Sequence, residues 1–446
     1  MDTDKRIRDG FKSKWGFILA CIGSAVGMGN IWRFPILVSI YGGMTFIVPY
    51  LIFVFLIGNT GVVTEMALGR FSKGGPVKAF GRCTELRMNN KKIGQGIGVI
   101  PVGGSLALAI GYTCVIAWVF KYAFMAISGD LSNLGVNLDN IGYHFESTAQ
   151  AFGANIWIIL AILTSILIMS FGIANGIEKA NKLMMPILFV LFVSLGLYIS
   201  TLPNASEGYR YIFTIDFSGL KNPEIWIFAF GQAFFSLSVA GHGTVIYGSY
   251  LSDKEDIPSA SRNVAFFDTI AAFTAAMVII PAMATSGVKL DSGGPGLMFI
   301  YLVKVLNSMP GGRIVSIIFY LCVLFAGLSS IINLYEAPVN YIQEKFKLKR
   351  PLATVVILVF GCIVAIFIQA IVSDWMDFVS IYLCPLGAFL AAVMFLWVLK
   401  KDQALEAVNM GAEKEIGRFY YPLAKYIYTI LAIVALIGGA ILGGIG

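Results

Sequence analysis

The sequence predicts an all-α polytopic membrane protein, and three observations carry that prediction. Of 446 residues, 58% are hydrophobic and only 13% are charged, about half the charged share of a typical soluble domain. Apolar runs long enough to cross a bilayer, roughly 20 residues each, recur from one end of the chain to the other. Most of the 32 lysines and arginines fall between alternate runs, the asymmetry that orients a membrane protein. Together these exclude a water-soluble enzyme. The net charge of +7 is dispersed between apolar runs, which speaks against a nucleic-acid partner. Two histidines and six scattered cysteines offer neither a zinc spacing nor a readable disulfide framework.

Eleven spans are expected, near 15–40, 43–69, 97–128, 154–174, 181–202, 224–251, 263–287, 312–343, 351–372, 376–399 and 420–444. The first does not read as a cleaved leader: it is long, contains Arg33 and runs into further spans without a small-residue cleavage site. A cytoplasmic N-terminus puts the basic segments 1–14, 70–92 and 400–419 inside, and the stretch 129–153, which holds no lysine or arginine, outside. An odd number of spans then leaves the C-terminus extracytoplasmic. The expected organisation is a cytoplasmic segment 1–14, a first group of five spans 15–202, a second group of five 224–399, and one additional span 420–444. The expected location is the cell's inner (plasma) membrane.

Two spans are interrupted. Span 1 contains Gly23-Ser24-Ala25-Val26-Gly27-Met28-Gly29-Asn30, and span 6 contains Ser236-Leu237-Ser238-Val239-Ala240-Gly241-His242-Gly243. Glycine costs about 1 kcal/mol relative to alanine inside a helix, and lipid tolerates an unwound segment only where it lines a protein cavity. Close helix packing through small residues is the alternative for either segment alone. Two interruptions, each in the first span of a group of five, point instead to a transporter binding site at an inverted-repeat interface. Freed amides would face an anion there and freed carbonyls a cation. Ionisable groups at membrane depth are costly and usually functional. Asp268 in span 7 requires a cation, a proton or a structural partner. Glu65 and Glu336 lie within spans 2 and 8, and Arg33 and Asp377 share one depth.

With segment 23–35 reading GSAVGMGNIWRFP, the chain resembles a neurotransmitter:sodium symporter of the eleven-helix bacterial amino-acid branch. TEMALGR (64–70), GQAFFSLS (231–238), LFAGLSS (324–330) and MDF (376–378) extend the likeness over nearly the whole chain. The resemblance implies a 5+5 inverted-repeat (LeuT-like) fold with discontinuous helices 1 and 6, plus an eleventh helix, and a sodium-coupled amino-acid symporter. It implies a first sodium site from Ala25, Asn30, Ser236 and Asp268 with the substrate carboxylate, and a second from Gly23, Val26, Ala326, Ser329 and Ser330. Hard oxygen donors of this kind are what an alkali cation needs. The substrate carboxylate is expected at Met28, Gly29 and Tyr112, and its ammonium at Ala25, Phe235 and Ser238. Ser236, Ser330, Leu108, Leu334 and Gly241 border the same pocket. Arg33 with Asp377 is the implied outer gate, and Arg8 with Glu344, supported by Tyr250, the inner one.

The chain departs from the family pattern in ways that bear on substrate and ions. Gly27 stands where monoamine members carry an aspartate, so the substrate is expected to bring its own carboxylate. Asp268 stands where an asparagine is often found and supplies the negative charge that chloride gives in animal members, which predicts chloride-independent transport. Gly241 enlarges the side-chain pocket, favouring a bulky hydrophobic or aromatic amino acid, and His242 reads either as a polar contact or as a water-facing residue. Gly176 and Pro186 mark a place where span 5 either unwinds or begins. One or two sodium ions are the expected cosubstrates, with no organic cofactor, and no phosphate-binding G-x-x-x-x-G-K-[ST] occurs. A non-transporting amino-acid sensor and a sodium-conducting channel are the alternative functions on the same fold.

Overall fold

The computed structural model describes residues 10–239, 243–285 and 296–443. Arg8, Ala240, Gly241 and His242 lie outside the described residues. Among the described residues, seven continuous helices are long and apolar enough to cross a membrane, and a bent pair makes an eighth. One of the seven, Arg350–Val398, has 49 residues. At about 1.5 Å per residue it is more than twice as long as a bilayer core, so it is two passes, turning at the short 3-10 segment Gln369–Ile371. Gln369 fixes that turn: its side-chain oxygen accepts from the Ala154 amide at 2.8 Å and its amide donates to Asn155 at 2.7 Å, at the start of the next helix described.

The described residues thus group into eleven spans. Span 1 is Lys14–Ala25 followed, after a 66° bend, by Gly29–Tyr41. Spans 2 and 3 are Met44–Ser72 and Lys91–Ser128. Span 4 is the shorter Asn155–Ser170, and span 5 is Ile173–Ser200. Span 6 is Pro223–Ser236 and Gly243–Gly248, span 7 Ile257–Thr285 and span 8 Gly312–Phe346. Spans 9 and 10 are the two passes within Arg350–Val398, and span 11 is Tyr420–Leu442. The long spans 3 and 8 pack along each other, with span 9 against both. The first half of span 1 rests on spans 5, 7 and 8. Apolar side chains such as Ile156, Leu163, Leu167, Phe360 and Phe367 point outward from spans 4 and 9, as a lipid-facing surface requires.

Span 5 differs from expectation. It begins at Ile173 rather than near 181, and it neither unwinds between Gly176 and Pro186 nor starts at Pro186. Gly176 sits in one wide turn, Ile173–Ile177, and helix then runs unbroken through Pro186 to Ser200. The start is held from outside the helix. The Glu178 carboxylate accepts from the Lys12 amide (2.7 Å), the Ser13 hydroxyl (2.9 Å) and the Lys182 ammonium (2.6 Å).

Candidate functional site

Both predicted interruptions are present, and they meet. The first half of span 1 ends at Val26, whose backbone turns extended (φ −71°, ψ 95°), and no side chain caps the helix that restarts at Gly29. In span 6 the helix ends at Ser236, and Ser238 adopts φ +55°, a conformation uncommon for a residue with a side chain. The Ser238 hydroxyl donates to the Ser24 carbonyl at 2.7 Å. One bond thereby satisfies a carbonyl freed by the first break and ties it to the second.

Three further elements converge on this junction. The Asn30 carboxamide donates to the Asp268 carboxylate at 2.8 Å and to the Ser236 hydroxyl at 3.0 Å, and Ser236 donates to the other Asp268 oxygen at 2.7 Å. The Asn30 oxygen accepts from the Gly27 amide at 3.2 Å, so one side chain both closes the turn of the break and holds the carboxylate. Asn30, Ser236 and Asp268 are all buried. The Tyr50 hydroxyl faces the same carboxylate. A second cluster is neutral. Ser329 donates to the Gly23 carbonyl (2.7 Å) and the Ala326 carbonyl (2.9 Å), and Ser330 to the same two carbonyls (3.4 and 3.0 Å). Gly23 and Ser24 lie in the last turn of a helix, whose partial negative charge favours a cation.

Between the clusters lies a cavity of about 30 Å³ bounded by Ser24, Ala25, Gly27, Gly29, Asn30, Leu108, Tyr112, Phe235, Ser236, Ser238, Ser330 and Leu334. Backbone from both breaks forms one end, and Leu108, Phe235 and Leu334 form an apolar wall.

A family model described as the sodium:neurotransmitter symporter family matches residues 8–139 and 139–442. The chain belongs to that family. It is 32% identical to an uncharacterized sodium-dependent transporter of Methanocaldococcus jannaschii, over 95% of this chain and 89% of the relative. It is 25% identical to the human sodium- and chloride-dependent neutral and basic amino acid transporter B(0+), over 98% of this chain and 80% of the relative. Among solved structures it resembles MhsT in complex with L-phenylalanine, with a TM-score of 0.84 and 31% identity over 97% of this chain and 100% of that one. The protein is therefore a transporter of a sodium-dependent family and not an enzyme, and the inverted-repeat fold with two discontinuous helices is established.

Of the residues predicted to form the transporter's pocket, Ala25, Gly29, Leu108, Tyr112, Phe235, Ser236, Ser238, Ser330 and Leu334 line the cavity. Met28, expected to contribute its backbone, is not among the lining residues, and the tip of its side chain lies beside Gly327 and Ile116, on the side of spans 3 and 8. Val26 is buried beside the break. Arg33 and Asp377 lie within electrostatic reach of each other, and Tyr41 and Tyr112 also face the guanidinium. Toward the opposite face, the Tyr250 hydroxyl donates to Glu336 at 2.6 Å, and Arg350 forks onto both Glu336 oxygens at 2.8 and 2.7 Å while its Nε donates to the Met169 carbonyl. Thr244 donates to Glu65, joining spans 2 and 6.

Gly27, singled out in the sequence for its bearing on the substrate, also lines the cavity, whereas sequence reasoning assigned no role to Ser24, Tyr50 or Arg350. Ser24 lies inside the recognised break, but which residues of that stretch face the cavity is decided by the fold, since Val26 and Met28 do not line it. The other two carried no local signal, since Tyr50 reads as a packed aromatic and Arg350 as a loop cation.

Proposed function

We propose that the protein is a sodium-coupled symporter that imports a zwitterionic amino acid with a bulky apolar or aromatic side chain, by alternating access and without chloride. The observation that carries this reading is a cavity walled by two broken helices, with a buried carboxylate cluster at one edge and an apolar wall at the other. The lining of that cavity matches a zwitterion piece by piece, and alternating access must widen its volume of about 30 Å³ to admit one. The zwitterion's carboxylate meets the uncapped helix start at Gly29 and the Tyr112 hydroxyl. Its ammonium meets carbonyls near Ala25 and Phe235 and the Ser238 side chain. Its side chain lies against Leu108, Phe235 and Leu334. The L-phenylalanine in the MhsT complex supports an apolar side chain of that size.

Gly27 supports an amino acid over an amine. A Cβ there would lie 2.8 Å from the Ser330 hydroxyl and 3.8 Å from that of Tyr112, so an aspartate would crowd the second cluster and take the place of the substrate carboxylate.

Sodium binds at two sites in this reading. At the first, Asn30, Ser236, Asp268 and the Ala25 carbonyl ligate the ion together with the substrate carboxylate. The Asn30 amide donates to Asp268 because a bare carboxylate attracts donors; an entering cation reverses that preference, and a half-turn of the carboxamide presents oxygen instead. At the second, carbonyls of Gly23, Val26 and Ala326 join the hydroxyls of Ser329 and Ser330. Shared coordination makes substrate and sodium each bind better in the other's presence. One sodium ion crossing 100 mV releases about 2.3 kcal/mol, and a tenfold gradient adds about 1.4 kcal/mol. Two ions thus supply roughly 7 kcal/mol, enough for accumulation on the order of 10⁵-fold. The positive-inside asymmetry supports a plasma-membrane protein with its N-terminus in the cytoplasm and its C-terminus outside. Arg33 and Asp377 then close the outer side of the pocket, and Arg8, Glu344 and Tyr250 the inner side.

The test is a thermal-shift screen of the purified protein with twenty amino acids in sodium and in potassium, followed by uptake of the best ligand into proteoliposomes. A ligand at 100 times its Kd stabilises by about 2.7 kcal/mol. An aromatic or large aliphatic amino acid should give that shift only in sodium and accumulate under an inward sodium gradient, with gluconate in place of chloride making no difference. Equal stabilisation in potassium would refute the coupling.

A further inference from the structure

We infer that the Asn181 side-chain oxygen, carried on span 5, is an additional sodium ligand at the cluster of Gly23, Ala326, Ser329 and Ser330. This rests on the reading of that cluster as a sodium site. Asn181 is fully buried, and its two polar ends are in different situations. The amide nitrogen donates to the Ile177 carbonyl one turn back, at 2.9 Å. Among the described residues, the oxygen has no hydrogen-bond partner. The assignment of nitrogen and oxygen is fixed by chemistry, because only the nitrogen can donate to Ile177. The oxygen is therefore the atom aimed forward, and it points at Gly23. The position a Cβ would take on Gly23 is 2.1 Å from the Asn181 oxygen and 2.9 Å from the Ser329 Cβ. The carboxamide oxygen and the Ser329 side chain thus flank the same face of the residue whose carbonyl both cluster serines address.

Burying an acceptor without a donor is expensive, and a leucine of similar size would fill the space without that cost. What the oxygen faces is a group of carbonyls and hydroxyls, the donor set of a hard cation. The contact with the Gly23 Cα is too weak to account for a buried carboxamide held in one orientation. Spans 1 and 8 supply five ligands in this reading, and Asn181 adds another from a third element. Sodium bound there links span 1 and span 8 to span 5, so the ion senses the position of all three.

The experiment titrates sodium against choline in a thermal-shift assay without amino acid, for the natural protein, Ser329→Ala, Asn181→Leu and Asn181→Asp. Asn181→Leu should raise the sodium half-saturation about five- to tenfold while leaving the melting temperature in choline equal or higher, since removing an orphan acceptor costs the fold nothing. A lower melting temperature in choline with the sodium titration unchanged would make Asn181 a packing residue and overturn the inference. If Asn181→Leu titrates like the natural protein while Ser329→Ala is weakened, the site stands and Asn181 is not part of it. If neither variant changes the titration, the sodium site itself is misplaced and the inference falls with it. Should the leucine variant fail to fold, Asn181→Asp decides: its half-saturation should shift about threefold or more, and an unchanged value is refuting.

Discussion

The two oxygen clusters beside the cavity differ in charge and in how far the chain travels to build them. The Asn30–Ser236–Asp268 cluster contains a carboxylate, fully buried, and unites spans 1, 6 and 7. The Gly23–Ala326–Ser329–Ser330 cluster is neutral, and three of its four residues share one stretch of span 8. A buried carboxylate in low dielectric needs a countercharge or several donors, so the first cluster holds Asn30 and Ser236 tightly and gains most from a cation. Serine hydroxyls satisfy the Gly23 and Ala326 carbonyls without any ion, so the second cluster carries no charge that demands one. The lesson is one of division: the charged cluster is suited to bind ion and substrate together, the neutral one to bind and release an ion at little cost to the fold.

That contrast is open to direct attack. Asp268→Asn removes the only formal charge in the first cluster and should weaken sodium-dependent substrate binding about a hundredfold, roughly 2.8 kcal/mol, while making it sensitive to chloride. Isothermal titration in sodium chloride and sodium gluconate checks this, and unchanged affinity in both salts would erase the distinction between the clusters. Tyr112→Phe removes a donor from the substrate carboxylate and should cost about 1.5–2 kcal/mol in amino-acid affinity, with the sodium half-saturation in the absence of substrate unaltered. Ser329→Ala should have the smallest effect, about 1 kcal/mol, read as a roughly fivefold higher sodium requirement at constant substrate affinity under saturating sodium. An effect of Ser329→Ala as large as that of Asp268→Asn would mean that the two clusters act as one.

Legibility in the sequence followed the range of the interaction. The spans were visible because each is a local run of apolar residues, and both breaks were visible because glycine and serine interrupt those runs at 23–30 and 236–243. The meeting of Asn30, Ser236 and Asp268 was not visible in the residues themselves: nothing in their spacing relates them, and only the family motifs implied it. Span 5 was misjudged at its start because Gly176 and Pro186 read as helix breakers by local rule, whereas Glu178 is anchored by Lys12 and Ser13, partners 165 residues or more away in sequence. Arg350 drew no reading for the same reason, since its partner Glu336 lies on span 8 and the Met169 carbonyl at the end of span 4.

The bond from Ser238 to Ser24 spans 214 residues, and the one from Ser329 to Gly23 spans 306. A ribosome adding about 5–20 residues per second needs roughly ten to forty seconds to cover the shorter gap. During that interval the Ser24 and Gly23 carbonyls lack the serine donors that hold them in the finished fold. The pocket is therefore among the last features of the molecule to be finished.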